Sequence, residues 1–110
     1  MAGGRSYNSK MAAPLSSRDR ARLKARAHAL EPLVRIGQAG VTPQVIAEVD
    51  RALTAHELIK VSIAVDDREE RAALGNTLAE RVDAAPVHRV GKVVILWRPK
   101  PAVSNAGETP

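Results

Sequence analysis

The chain has no cysteine and no phenylalanine, and only one tryptophan and one tyrosine among its 110 residues. The missing cysteine excludes disulfides, thiolate catalysis and cysteine-based zinc sites together. The scarcity of aromatics leaves an almost purely aliphatic core and little with which to stack a base. No apolar run approaches the roughly 20 residues that span a bilayer. Arg5 and Lys10 have no apolar stretch behind them, so no signal peptide is expected. A reducing, cytoplasmic setting fits these absences, and no membrane partner is expected.

Basic residues are plentiful. The net charge is +5, but it is unevenly spread. Residues 1–40 carry net +6, residues 41–83 net −4 and residues 84–110 net +3. Such a clustered excess of cations predicts an acidic partner met at particular elements rather than everywhere.

Residues 1–14 and 100–110 are small, polar and aperiodic, and are expected to be disordered tails around one domain at 15–99. Ser16 with Asp19 three residues later makes a capping-box pattern opening a helix that runs to Leu30. Its apolar stripe is Leu23, Ala27 and Leu30. Arg18, Arg22 and Arg26 recur every four residues on another face, and Arg20 with Lys24 makes a second basic row. Like charges at this spacing repel, so an anion meeting them explains the rows. A solvated arginine-rich face is the alternative.

Pro32 stops this helix, and Leu33–Ile36 reads as a short strand. Gly37-Gln38-Ala39-Gly40 follows, then Thr42 as helix N-cap and Pro43 at the first helical position. Taken alone, this G-x-x-G loop reads as an ordinary strand-to-helix turn. The alternative is an anion site, because glycines permit close approach and helix N-termini present free amides. The next helix covers about Pro43–Ala55. Glu57–Val65 alternates as a strand, with Ile59, Val61, Ile63 and Val65 on one face. Asp66-Asp67 caps a third helix that carries Leu74, Leu78 and Val82. There Gly75 weakens the helix or permits close packing. A strand through Val90, a turn at Gly91-Lys92 and a strand from Lys92 to Arg98 complete the chain. The last strand is apolar on both faces, which places it inside the sheet. The fold class is α/β (α+β), in the order α-β-α-β-α-β-β, with a four-stranded mixed sheet packed with helices. Strand order does not follow from the pattern.

Four segments, in this order, resemble the CRM domain, and in particular the stand-alone bacterial YhbY-like proteins. They are Leu15-Ser16 with Ala27-His28-Ala29-Leu30-Glu31-Pro32, then Ile36 to Thr42, then Glu57-Leu58-Ile59-Lys60-Val61, and Val90-Gly91-Lys92 with Leu96-Trp97-Arg98. The resemblance covers residues 15–99. It implies an RNA-binding domain similar in architecture to the C-terminal domain of bacterial translation initiation factor three. It further implies contact with ribosomal RNA of large-subunit precursors, and so a role in ribosome assembly. Plant relatives act in organelle intron splicing. The family's basic helix falls on Arg18, Arg20, Arg22, Lys24 and Arg26. Its loop falls on Gly37, Gln38, Ala39 and Gly40, with Arg35 before it and Thr42 after it. Family loops often hold a basic residue between the glycines, and this one holds Gln38 and Ala39. The loop is therefore expected to position phosphate through amides while the helix supplies most of the attraction. Neutralising four to six phosphates corresponds to a log K against log salt slope of roughly −3 to −5.

Trp97 is expected in the core rather than as a stacking platform. His28, His56 and His88 match no metal-ligand spacing, and Asp66-Asp67 reads as a cap rather than a catalytic pair. No nucleophile elbow, Walker loop or dinucleotide fingerprint is present. No enzyme activity, metal, cofactor or small-molecule substrate is expected, and a monomer is. The alternative function is a protein-interaction module whose acidic segment (Asp66, Asp67, Glu69, Glu70) docks a basic ribosomal protein or an assembly GTPase.

Overall fold

Ser16 and Asp19 cap the first helix reciprocally. Ser16 Oγ accepts from the Asp19 amide at 3.0 Å, and Asp19 Oδ2 accepts from the Ser16 amide at 3.4 Å. The helix, α1, spans Ser17–Ala27. It is shorter than its apolar spacing predicts. His28 caps it, and Leu30 donates to the Ala27 carbonyl in a tight turn. The residue before a proline avoids helical geometry, so Glu31-Pro32 cannot extend the helix. Leu30 leaves the apolar stripe as a result and is 38% exposed.

These elements belong to a computed structural model that describes residues 15–100. The two expected tails, including Tyr7, lie outside the described residues apart from Lys100. After α1 come β1 (Pro32–Ile36), α2 (Pro43–His56), β2 (Leu58–Ile63), α3 (Arg68–Arg81), β3 (Ala85–Val90) and β4 (Val93–Trp97). The element order is the one the periodicities predict. The main difference at the boundaries is β2, which loses both ends of the expected Glu57–Val65. Glu57 turns the chain out of α2 with φ 66, and Ala64 and Val65 lie beyond the ladder.

The strand order is β1-β2-β4-β3. β1 and β2 are parallel, joined by α2, while β4 runs antiparallel to both of its neighbours. α3 carries the chain to the far edge, and the hairpin at Gly91-Lys92 brings β4 back between β2 and β3. That central place accounts for the apolar character of β4 on both faces. Val94, Ile95 and Leu96 are all buried.

The two faces of the sheet are covered unequally. Val34, Ile36, Ile59, Val61, Ile63, Val94 and Leu96 form the larger core with Val49 and Leu53 of α2 and Leu78 of α3. Gly75 faces this core, but the close packing does not require glycine: a Cβ there would stand 3.6 Å from Ile63 Cδ1, an ordinary contact. On the opposite face, α1 alone packs Leu23 and Ala27 onto Leu58, Val87 and Ile95, with Trp97 at the margin. Trp97 packs against this cluster while remaining half-buried. One helix of 11 residues covers only part of a four-stranded face. The uncovered remainder adjoins the end of β1 that leads into the glycine loop.

Candidate nucleic-acid interface

The glycine loop leaves the C-terminal end of β1 as a closed turn. The Gly40 amide donates to the Gly37 carbonyl at 3.0 Å, and Gln38 Nε2 reaches the Ala64 carbonyl at 3.4 Å. The two glycines do different work. Gly40 sits at φ +79, a conformation that L side chains rarely adopt, and its pro-Cβ position is 3.6 Å from Leu74. Gly37 is not in that region, and a Cβ there would meet nothing within 4 Å. The fold therefore requires glycine at 40 and not at 37. Gly37 leaves an open approach to the backbone.

The start of α2 offers fewer amides than an uncapped helix. Pro43 has no N–H, the Val45 amide donates to Thr42 Oγ1 at 3.1 Å, and the Ile46 amide donates to the Thr42 carbonyl. Of the four orphan donors that a helix start normally presents, the Thr42 and Gln44 amides have no partner among the described residues. The Gln38 and Ala39 amides at the tip of the turn have no partner among the described residues.

α1 divides its cations between its flanks. Arg18, Arg22, Lys24 and Arg26 are exposed and make no ion pair among the described residues, where the salt bridges are Lys92–Asp66 and Arg98–Asp50. Arg20 is engaged: its Nη1 donates to the Pro86 carbonyl at 2.9 Å and the Val87 carbonyl at 3.2 Å, clamping α1 to β3. Arg26 lines a groove of about 430 Å³ with Leu30, Leu33, His56 and Leu58. That groove lies at the N-terminal ends of the parallel strands β1 and β2, whereas the glycine loop lies at their C-terminal ends. Five residues of strand cover about 16 Å, so Arg26 and the loop are separated by roughly one strand length. The structure does not gather the basic helix and the loop into one cluster. Arg35, exposed near the end of β1, is the cation that stands beside the loop.

Lys60 went unassigned in the sequence reading. It is half-buried in β2 and faces the α1 side of the sheet. The alternation of Leu58, Lys60 and Ser62 against Ile59, Val61 and Ile63 carried the signal, since it puts a lone cation mid-strand on the face opposite the main core. Two of the four residues of the acidic segment have partners. Asp66 Oδ1 accepts from Lys92 Nζ at 2.8 Å, which holds its carboxyl below the ordinary carboxylate range, and Asp67 Oδ1 accepts from the Glu69 amide at the start of α3. Glu69 and Glu70 are left exposed. Among the described residues, no helix is long and apolar enough to cross a membrane.

A helix with unpaired arginines, a glycine turn after a short strand and a mixed four-stranded sheet describe a recognisable kind of domain. The model of the CRS1/YhbY (CRM) domain matches residues 15–98. The chain belongs to that family. It is similar to a Haemophilus influenzae protein named as an RNA-binding protein, with 41% identity over 85 residues, covering 77% of this chain and 86% of that relative. A Pseudomonas aeruginosa protein named as a probable RNA-binding protein is 34% identical over 87 residues, covering 79% of this chain and 84% of the relative. The solution structure of a Staphylococcus aureus protein, described as a candidate RNA-binding protein, superposes with a TM-score of 0.73 at 26% identity. That match covers 82% of this chain and 94% of the other. The CRM match spans every helix and strand described above.

Proposed function

We propose that this CRM protein binds RNA, and that its target is ribosomal RNA in precursors of the large subunit, which it engages during ribosome assembly. The observation that carries the reading is the set of arginines on α1. Four exposed cations on a single short helix have no acidic partner among the described residues, and relatives that share its sequence are named for RNA binding. Arg18, Arg22, Lys24 and Arg26 supply the attraction. Arg35, Gly37, Gln38, Ala39, Gly40 and Thr42 form or support the turn that seats a phosphate, and Arg20 holds α1 to the sheet. Phosphate contacts of this kind position a protein on RNA and carry little sequence information. The isolated protein therefore binds with low sequence specificity, and the ribosomal particle supplies the selection. No cofactor or chemical step is required, and the protein acts in the cytoplasm as a monomer.

The test is binding of ribosomal RNA fragments at several salt concentrations, for the native protein and for Arg22→Glu combined with Arg26→Glu. A slope of roughly −3 to −5 in log K against log salt is expected for the native chain, shallower in the double variant. Equal affinities in the two proteins across the salt range overturn the reading of α1. Crosslinking in cells followed by sequencing of bound fragments tests the target. Fragments drawn mainly from RNAs other than large-subunit ribosomal RNA overturn that assignment.

A further inference from the structure

The strand registers align side chains in rows across the face that carries α1. Leu58, Trp97 and Ala85 make one row, and Pro32, Lys60, Ile95 and His88 the next. Arg35, Ser62, Val93 and Val90 make the third. α1 sits on the first row and on Ile95 of the second. The third row is open. Arg35 is exposed, Ser62 and Val93 are half-buried, and Val90 is 57% exposed, which is unusual for a strand valine beside a core. Lys60 and His88 flank this row, both half-buried. No strand of the sheet contains an aspartate or glutamate. The face thus joins cations at its β1–β2 side to bare aliphatic surface at its β3–β4 side, with no acidic group in any strand.

We infer that this strip holds a short single-stranded RNA segment laid across the strands, with phosphates on Arg35 and Lys60 and a base against Val90 and Val93. The inference rests on the RNA-binding reading above and names the form of RNA that the sheet receives. Three inter-strand spacings make the strip about 14 Å wide, which suits the two or three nucleotides that sheet-based readers display. A duplex keeps its bases stacked inside and has no base face to offer Val90. Aliphatic side chains replace the usual aromatics, so the strip tolerates any base and grips it weakly. Arg35 precedes Gly37 by two residues, so one RNA strand passes from the glycine turn onto the strip without a break. Lys24 follows Arg20 by one helical turn on the flank of α1 away from Arg26 and its groove, which places it on the sheet side of the path.

The full chain is titrated with a short oligouridylate and, separately, with an RNA duplex of the same length, for the native protein, Lys60→Gln and Val90→Ser. Lys60→Gln is expected to weaken oligouridylate binding severalfold and to make its salt slope shallower by about 0.7. Val90→Ser is expected to weaken it about threefold with the slope unchanged, and duplex binding is expected to stay the same in both variants. If oligouridylate binding and slope are unchanged in both variants, while Arg22→Glu with Arg26→Glu still weakens RNA binding, the strip is not the site and the wider reading stands. Equal losses on the duplex overturn the single-strand assignment. A native chain that binds neither RNA overturns the RNA-binding reading itself.

Discussion

Replacing Gly37 by alanine separates a glycine kept for the fold from one kept for a partner. A methyl group at Gly37 meets no heavy atom within 4 Å, and the backbone there does not require a left-handed conformation. The folded state loses nothing, and the unfolded chain loses freedom, so Gly37→Ala is expected to stabilise by about 0.4–1 kcal/mol. Gly40→Ala does the opposite. At φ +79 an L side chain costs about 1–2 kcal/mol, and the strain falls on the turn closed by the Gly40-to-Gly37 hydrogen bond. On the proposed contact, the methyl at Gly37 would stand between a phosphate and the unpartnered amides of Gln38 and Ala39. Losing one charge-assisted hydrogen bond of about 1.5–3 kcal/mol weakens binding at least tenfold. The assay pairs denaturant unfolding with fluorescence anisotropy of a labelled RNA at fixed salt. Gly37→Ala should raise the unfolding midpoint while lowering affinity, a combination that no general loss of structure produces. A raised midpoint with affinity within twofold of native refutes the contact. A lowered midpoint refutes the argument that the fold leaves this position free.

Three further substitutions test how the scaffold is held. Arg98, 17% exposed along its side chain, donates to Asp50 Oδ1 at 2.7 Å, Thr54 Oγ1 at 2.9 Å and the Val82 carbonyl at 2.9 Å. It thereby ties the end of β4 to α2 and to the end of α3, and Arg98→Ala should destabilise by about 2–3 kcal/mol in denaturant unfolding. Arg98→Lys should recover less than half of this, because an ammonium cannot span the same acceptors. Gly75→Ala should stabilise α3 by about 0.5–1 kcal/mol, since the added Cβ meets Ile63 at ordinary contact distance; a loss of stability would show that the helix cannot yield there. Asp66→Asn removes the negative charge that pairs with Lys92. The folded carboxyl titrates below its usual value of 3.8, so the stabilisation is present above that pH and fades as pH falls through the folded value. Native and variant unfolding curves should therefore differ at pH 7 and converge in strong acid.

Local chemistry made much of this fold legible. Ser16 with Asp19, Thr42 with Pro43, and Asp67 each announce a helix start through the short-range hydrogen bonds that the structure contains. Val93–Trp97, apolar on both faces, announced a central strand. Where the reading overran, tertiary geometry decided. Leu30 has the right spacing for the stripe of α1, yet the chain must turn into β1 before Pro32. Glu57 continues the alternation of β2, but it makes the sharp turn that lets α2 and β2 pack face to face. Strand order was not legible, because it depends on where α3 crosses the sheet, and Leu78 and Gly75 would read the same with β3 beside either edge.

The candidate site was legible in its residue types and not in their placement. Arg20 and Arg22 belong to two basic rows that look alike in the sequence, yet one is clamped on β3 carbonyls and the other is free of ion pairs among the described residues. Arg26 and Gly37 look like parts of one grip, yet about one strand length, roughly 16 Å, separates them. That exceeds the screening length of about 10 Å at 0.1 M salt, so on the proposed reading helix and loop should act on different phosphates. Their contributions should then be independent. The free-energy losses from Gly37→Ala and from Arg22→Glu with Arg26→Glu should add within about 0.5 kcal/mol in the combined variant, as they do for sites that share no partner. A combined loss well below the sum would mean that both ends hold the same phosphates, and that RNA bends the domain or itself to bring them together. Between the two ends stand Arg35 and Lys60, the cations of the face on which α1 lies.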